Sequence, residues 1–433
     1  MSQAPAFDET TFRTDEDFAR DQYAQDPLGE YRERFIHPTR AGKPLLYFCG
    51  NSLGLQPTGA RAIVDQELQD WGDLAVDAHF EGTTPWYDYH EVFRDQGSRV
   101  VGAQPDEVVM MNSLTVNLHL MMVSFYRPEN GRRKILMEAP AFPSDMYAIR
   151  SHMASRGEDP DTDLIVIAPR EGEHTLRTDD VAELLESEGD SIALVLFAGV
   201  NFFTGQVMEI ERITALAQAR GCRVGWDLAH AAGNVPLQLH AWNVDFACWC
   251  SYKYLNAGPG AIAGCFVHER HAETNLPRFA GWWGNDPATR FRMHLEDRFI
   301  PRPTADGWQI SNPPILAMAP LRASLDIFDQ VGMDALRQKS VRLTGYLRWL
   351  IEKHPTERFE IITPRATTAQ GCQLSILVHD APRGRFDALQ AAGVVGDFRP
   401  PNVIRVAPVP LYNTYLDAWR FADILAGMDG STP

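Results

Sequence analysis

Phe246-Ala247-Cys248-Trp249-Cys250-Ser251-Tyr252-Lys253-Tyr254 decides how this chain is read. Five apolar residues in a row are the pattern of a strand buried on both faces, as strands of parallel sheets are. The lysine then sits at the strand's end between two tyrosines, where open α/β sheets collect their ligands. A lysine is costly to bury charged, and desolvation is how proteins free a lysine amine as a nucleophile. A Schiff-base lysine needs such a place. A lysine that simply reaches solvent from a strand end is the commoner occurrence, so the rest of the chain has to separate the two.

On either side, short β-rich runs alternate with helical patterns. The apolar runs predict strands over 108–111, 134–138, 164–167, 192–197, 223–226, 246–250 and 261–267, with helices such as 178–188 and 210–220 between them. That alternation predicts an α/β fold with a mainly parallel central sheet and helices on both faces. After Asn312-Pro313-Pro314 the texture changes to two helices within 315–353 and a smaller α+β pattern, with strands over 359–362, 373–378 and 403–407. The expected organisation is an N-terminal segment, 1–45, packing on the small domain or on a partner. A large α/β domain, 46–314, and a small α+β domain, 315–433, follow.

With 433 residues, 45% hydrophobic and 22% charged, the chain has the composition of an ordinary globular protein of two domains. A formal net charge of −17 argues against nucleic acid or an anionic membrane as partner, because both call for clustered cations. No run reaches the roughly 20 apolar residues of a membrane helix, and residues 1–26 lack the layout of a secretory signal. Six cysteines lie in or beside apolar segments, and the spacing of Cys248 and Cys250 suits packing rather than zinc. The expectation is a cytoplasmic protein with reduced cysteines and no metal.

Arg223-Val224-Gly225-Trp226-Asp227 reads as a strand ending in an acid, followed by Leu228-Ala229-His230. Asp227 there is either a helix N-cap or a carboxylate facing the cleft, where it would keep a pyridine nitrogen protonated. Asn112-Ser113-Leu114-Thr115 leads from a strand into a helix, a natural anion site with free N–H groups and a small hydroxyl. Phe142, within Ala141-Phe142-Pro143-Ser144-Asp145, is placed either to stack on a planar cofactor or to pack on the core. Cys49-Gly50-Asn51-Ser52-Leu53-Gly54 is a loop whose glycines let backbone approach a ligand closely. Arg405, inside the apolar run Val403–Ala407, requires an anionic partner, either an internal acid or a substrate carboxylate. No GxGxxG or GxxxxGK[ST] motif is present, which disfavours dinucleotides and nucleoside triphosphates.

Taken together these residues resemble kynureninase, a family of fold-type I pyridoxal-phosphate enzymes. The resemblance runs from about Tyr47 to about Tyr415 through GNSLGLQP, NSLTVNLHL, AFPSD, PREGE, DLAHAAGN, DFACWCSYKYLNAGPG, ISNPP and IRVAPVPLYN, in that order. It implies that Lys253 is the Schiff-base lysine and that Asp227 pairs with the pyridine nitrogen of pyridoxal 5′-phosphate. Leu114 and Thr115 would hold the phosphate, Phe142, Pro143, Ser144 and Asp145 would surround the ring, and His230 and Tyr252 would complete the cofactor shell. Trp282 and Asn312 would reach the phosphate across the interface of a homodimer. Arg405 would bind the substrate's α-carboxylate, with Asn51 and Ser52 beside the substrate and His79 and Asn312 recognising its aryl group. Ala198 departs from the pattern, since relatives can carry a serine there. The implied reaction is hydrolysis of L-kynurenine, or 3-hydroxykynurenine, to an anthranilate and L-alanine, with Tyr252 shuttling protons.

Two other readings share these features. A cysteine desulfurase or selenocysteine lyase would need a reactive cysteine on an exposed loop. A non-catalytic cofactor-binding protein would be expected to have lost the lysine, the pairing acid or the arginine, and this chain has all three.

Overall fold

Phe246–Cys250 is a strand with every residue buried, and it lies inside a seven-stranded sheet. The computed structural model describes residues 9–353 and 357–428, so residues 1–8 of the predicted N-terminal segment and 429–433 of the predicted small domain lie outside the described residues. In chain order the large sheet comprises β1 (Val108–Met110), β2 (Lys134–Glu138), β3 (Leu164–Ile167), β4 (Ile192–Ala198), β5 (Arg223–Asp227), β6 (Phe246–Cys250) and β7 (Ala263–Val267). Their spatial order is β1-β7-β6-β5-β4-β2-β3. Only β7 runs antiparallel, against β6 on one side and β1 on the other. The chain leaves β2 toward β3 and returns on the other side as β4, which makes the β2–β4 boundary the topological switch point.

Continuous apolar runs arise because the sheet is covered twice. Ala247 and Trp249 of β6 join one core with Val224, Trp226, Val195 and Phe197. Phe246 and Cys248 point the other way and join Leu194, Leu196, Ile135 and Met137. Period-2 alternation is present in the packing but invisible in the sequence, since both faces demand apolar side chains. The strand bounds differ from the sequence reading by one or two residues. The difference that matters is at β5, which runs one residue further, so that Asp227 closes the strand itself.

Ile315–Val331 and Met333–Lys353 are separate helices, divided at Gly332 with φ +77°, a left-handed position suited to glycine. Met318, Leu321, Leu325 and Leu336 belong to the large-sheet core, whereas Leu343, Tyr346, Leu347 and Leu350 belong to a second core. The longer helix therefore spans both. The second core covers an antiparallel sheet of β8 (Phe359–Ile361), β9 (Leu374–Val378), β10 (Asp397–Arg399) and β11 (Val403–Val406), in the order β8-β9-β11-β10. Phe12, Phe18 and Ala19 bury in that same core, and Asp26 pairs with the buried Lys339 at 2.7 Å. On this packing we propose the division into an N-terminal segment, a large domain and a small domain.

Candidate active site

The ends of β2, β4, β5 and β6 meet at the switch point around a cavity of about 230 Å³. Its wall includes Asp227, Ala229, His230, Tyr252 and Lys253 from the segments leaving β5 and β6. Ser113, Leu114, Thr115, Phe142, Ser144 and Asp145 come from two helix N-termini, and Ala198, Val200 and Phe202 from the chain after β4. Lys253 Nζ lies 3.0 Å from His230 Nε2 and 5.8 Å from the centre of the Phe142 ring. Burial, with the charge of Lys253 next, holds the His230 imidazole well below its ordinary range, so it is neutral and its Nε2 accepts from the lysine. Its Nδ1 is buried with no partner among the described residues.

Asp227 Oδ1 accepts from the Ala229 N–H at 2.7 Å, which turns the chain sharply off the strand. Two further buried acids stand beside it. Asp145 is pushed well above the ordinary carboxylate range by burial and then by Asp227, and its Oδ1 has no partner among the described residues. Glu138, the last residue of β2, is pushed up to about 7, chiefly by burial, while the Ala198 N–H donates to its Oε2 at 3.2 Å. Three carboxyl groups in one dry corner cannot all ionise without a cation among them.

The helix Leu114–Phe125 also opens toward the cavity. Ser113 at its N-cap makes no side-chain cap bond, so the first N–H groups keep their positive end free for an anion. Thr115 Oγ1 and Ser144 Oγ lie 3.1 Å apart, joining this terminus to that of the helix Pro143–Ser155, which Pro143 starts. Tyr252 is half-buried with its ring centre 6.0 Å from Lys253 Nζ, and burial raises its phenol.

The glycine loop packs against the segment that carries the lysine. Gly54 N–H donates to the Tyr252 carbonyl at 2.8 Å, and a Cβ at Gly54 would run into the Lys253 carbonyl and Asn256. Asn51 is fully buried, donating to Gln373 Oε1 at 3.1 Å, while Ser52 is exposed.

The remaining expected site residues stand outside the cavity wall. Arg405 is buried behind Phe202, its Nη1 donating to the Phe202 carbonyl at 2.5 Å and its Nη2 paired with Asp397. His79 is half-buried, its ring packed edge-on against Trp86 at 5.4 Å. Trp282 is half-buried against Trp283, and Asn312 is exposed, accepting from Ser311 Oγ at 3.1 Å.

Glu138, Val200, Phe202 and Asp397 escaped the sequence reading. Glu138 carried the signal that singled out Asp227, an acid closing an apolar run. Asp397 carried none, because its partner is assigned by strand register.

A family model described as kynureninase C-terminal domain matches residues 336–425. The chain is 54% identical over 412 residues to a kynureninase of Koribacter versatilis (strain Ellin345), covering 95% of this chain and 97% of that one. The chain belongs to the kynureninase family. A second kynureninase, from Xanthomonas campestris pv. campestris (strain B100), is 55% identical over 403 residues, 92% of this chain and 95% of the relative. Among solved structures, a C-DES mutant with glycine covalently linked to its PLP cofactor aligns with a TM-score of 0.75 at 16% identity, covering 91% of this chain and 98% of that one. The cysteine desulfurase CsdA of Escherichia coli gives 0.75 at 15%, covering 93% and 98%. At such identities these two speak for the fold alone: kynureninase-family sequence is here laid on the fold-type I scaffold.

Proposed function

We propose that this chain uses pyridoxal 5′-phosphate to hydrolyse the Cβ–Cγ bond of L-kynurenine, or of 3-hydroxykynurenine, giving an anthranilate and L-alanine. The carrying observation is more than 50% identity to kynureninases across more than nine tenths of the chain. The cavity fits the cofactor: an uncapped helix N-terminus for its phosphate, a lysine amine, and buried acids beside Asp227 with no ion-pair contact among the described residues. The unpartnered His230 Nδ1 and Asp145 Oδ1 are further groups awaiting a ligand.

Leu114 and Thr115 would hold the phosphate, Asp227 the ring nitrogen, and Phe142, Pro143, Ser144, Asp145, His230 and Tyr252 the rest of the shell. When bound, the cofactor supplies an electrophilic carbon and a protonated ring that takes up the electron pair released at the substrate's α-carbon. Lys253 Nζ is the base proposed for the α-proton, and neutral His230 keeps that nitrogen in place. The Tyr252 phenol, raised by burial, keeps its proton at neutral pH, which suits it to move that proton during hydration of the γ-carbonyl and release of the aromatic acid.

Arg405 is the proposed anchor of the α-carboxylate, with Asn51 and Ser52 nearby and His79 and Asn312 toward the aryl group. We further propose a homodimer in which Trp282 and Asn312 reach the partner's cofactor. The exposed Phe80 and Phe291, joined through Tyr87 and Trp283 to Trp282, support an interface. No described helix is long and apolar enough to cross a membrane.

The desulfurase reading is disfavoured by the thiols. Cys49, the only half-buried cysteine among the described residues, is pushed up by burial, and Cys222 and Cys372 are pushed to about 11 and 12. A nucleophilic cysteine needs the opposite shift. Steady-state hydrolysis of both kynurenines decides the proposal, and kcat/KM ranks them by transition-state binding. No release of anthranilate or alanine from either would sink it.

A further inference from the structure

Arg405 has a counter-ion of its own. It is 1% exposed, and although burial lowers its guanidinium to about 10, it stays charged at neutral pH. A buried cation needs a partner. Asp397 sits directly across from it in the β10–β11 register, and cross-strand neighbours present their side chains on the same face. Asp397 Oδ2 pairs with Nη2, while Nε, on the same edge of the guanidinium, is buried with no partner among the described residues. That edge is the one that takes a carboxylate through two parallel bonds. It is therefore half filled by an internal carboxylate and half vacant.

The same oxygen of Asp397 accepts from Arg399 Nε at 3.0 Å. One oxygen thus bridges two arginines, one fully buried and one with its side chain about a third exposed. Phe202 joins this cluster to the cavity: its ring centre lies 6.0 Å from the Arg405 guanidinium and 5.8 Å from that of Arg399, and it forms part of the cavity wall.

We propose that Asp397 is an internal stand-in for the substrate carboxylate, neutralising Arg405 in the empty site and yielding the Nε–Nη2 edge to the incoming amino acid while remaining with Arg399. The proposal rests on Arg405 being the carboxylate anchor of the function proposed above. It exchanges one anion for another, so the buried arginine is never left unpaired. It also selects substrate: an amide or ester of the amino acid has no charge with which to displace Asp397. Asp397 is a positioning residue in this scheme, acting through Arg405.

Removing the competitor raises the fraction of Arg405 available to substrate, and apparent affinity rises in proportion. We expect Asp397→Asn to lower KM for L-kynurenine roughly tenfold, the value for a guanidinium free about a tenth of the time. Acetate, a bare carboxylate, should inhibit this variant competitively at about tenfold lower concentration than the unaltered holoenzyme. A KM that rises in Asp397→Asn would overturn the proposal, since Asp397 would then be aligning Arg405 for substrate. If Asp397→Asn fails to fold, Arg399→Gln carries the test: it leaves Asp397 to Arg405 alone, so KM should rise, and an unchanged or lower KM overturns the proposal. Failure of the unaltered enzyme to hydrolyse L-kynurenine in the same assay would count against the proposed function instead.

Discussion

At the ends of β5 and β6 the chain leaves buried polar groups without a counter-charge in contact, whereas at β10 and β11 it supplies a counter-ion of its own. Around Lys253, Asp145, Asp227 and a neutral His230 face a cavity with Glu138 buried beside Asp227, and His230 Nδ1 and Asp145 Oδ1 bond to nothing among the described residues. Around Arg405, the same need for charge balance is met internally by Asp397. The contrast follows from how long each ligand stays. A cofactor that remains bound through many turnovers can complete a site the protein leaves unfinished. A substrate that comes and goes each cycle leaves a buried arginine exposed to the cost of an unpaired charge, unless the fold provides a substitute.

The sharpest break at the unfinished end is Lys253→Ala. It should abolish the borohydride-reducible cofactor absorption band and cut kcat by about 10³-fold or more, as loss of a base that also forms the cofactor linkage demands. A surviving band would move the nucleophile elsewhere.

Glu138 tests whether the acid corner is strained when empty. Burial pushes its carboxyl up from the ordinary 4.5 to about 7, so the native state holds the proton more tightly. Its contribution to stability is then fully present below 4.5 and falls as pH rises to about 7. The loss amounts to about 3 kcal/mol. Glu138→Gln cannot titrate, so urea unfolding of cofactor-free protein should show the variant gaining about that much on wild type between pH 4.5 and 8. Parallel stability curves would mean that Glu138 ionises freely.

At the self-paired end, Arg405→Ala should raise KM roughly thirtyfold, about 2 kcal/mol, with the cofactor band retained. Loss of the band would make the arginine structural. The smallest effect belongs to Thr115→Ala. It removes one hydroxyl from an anion site built mostly of backbone, so cofactor affinity, read by equilibrium titration of the absorption band, should fall about fivefold, near 1 kcal/mol. A drop of two orders of magnitude would show that the hydroxyl, rather than the helix terminus, holds the phosphate.

The sequence by itself determined the strand runs, the acid closing β5, the lysine after β6, and an ordered set of motifs that belongs to one family. These are local signals, since apolar runs and turn chemistry act through neighbours in the chain. It left open whether Asp227 caps a helix or faces the cleft. The fold resolves that by ending β5 on Asp227, at the switch point beside Glu138 and Ala198. Only the tertiary structure decided which charges meet. Glu138 becomes a strained acid because the folded sheet buries it and brings Asp227 near, and Asp397 becomes the partner of Arg405 because β10 and β11 pair in one register. Strand order and register are set by long-range packing, and a one-residue slip would turn Asp397 to the opposite face. Lys253 was a candidate from nine residues and became legible as chemistry beside Asp227, the anion site and Arg405 elsewhere in the sequence, whereas the anion that guards Arg405 came into view only once the sheet was folded.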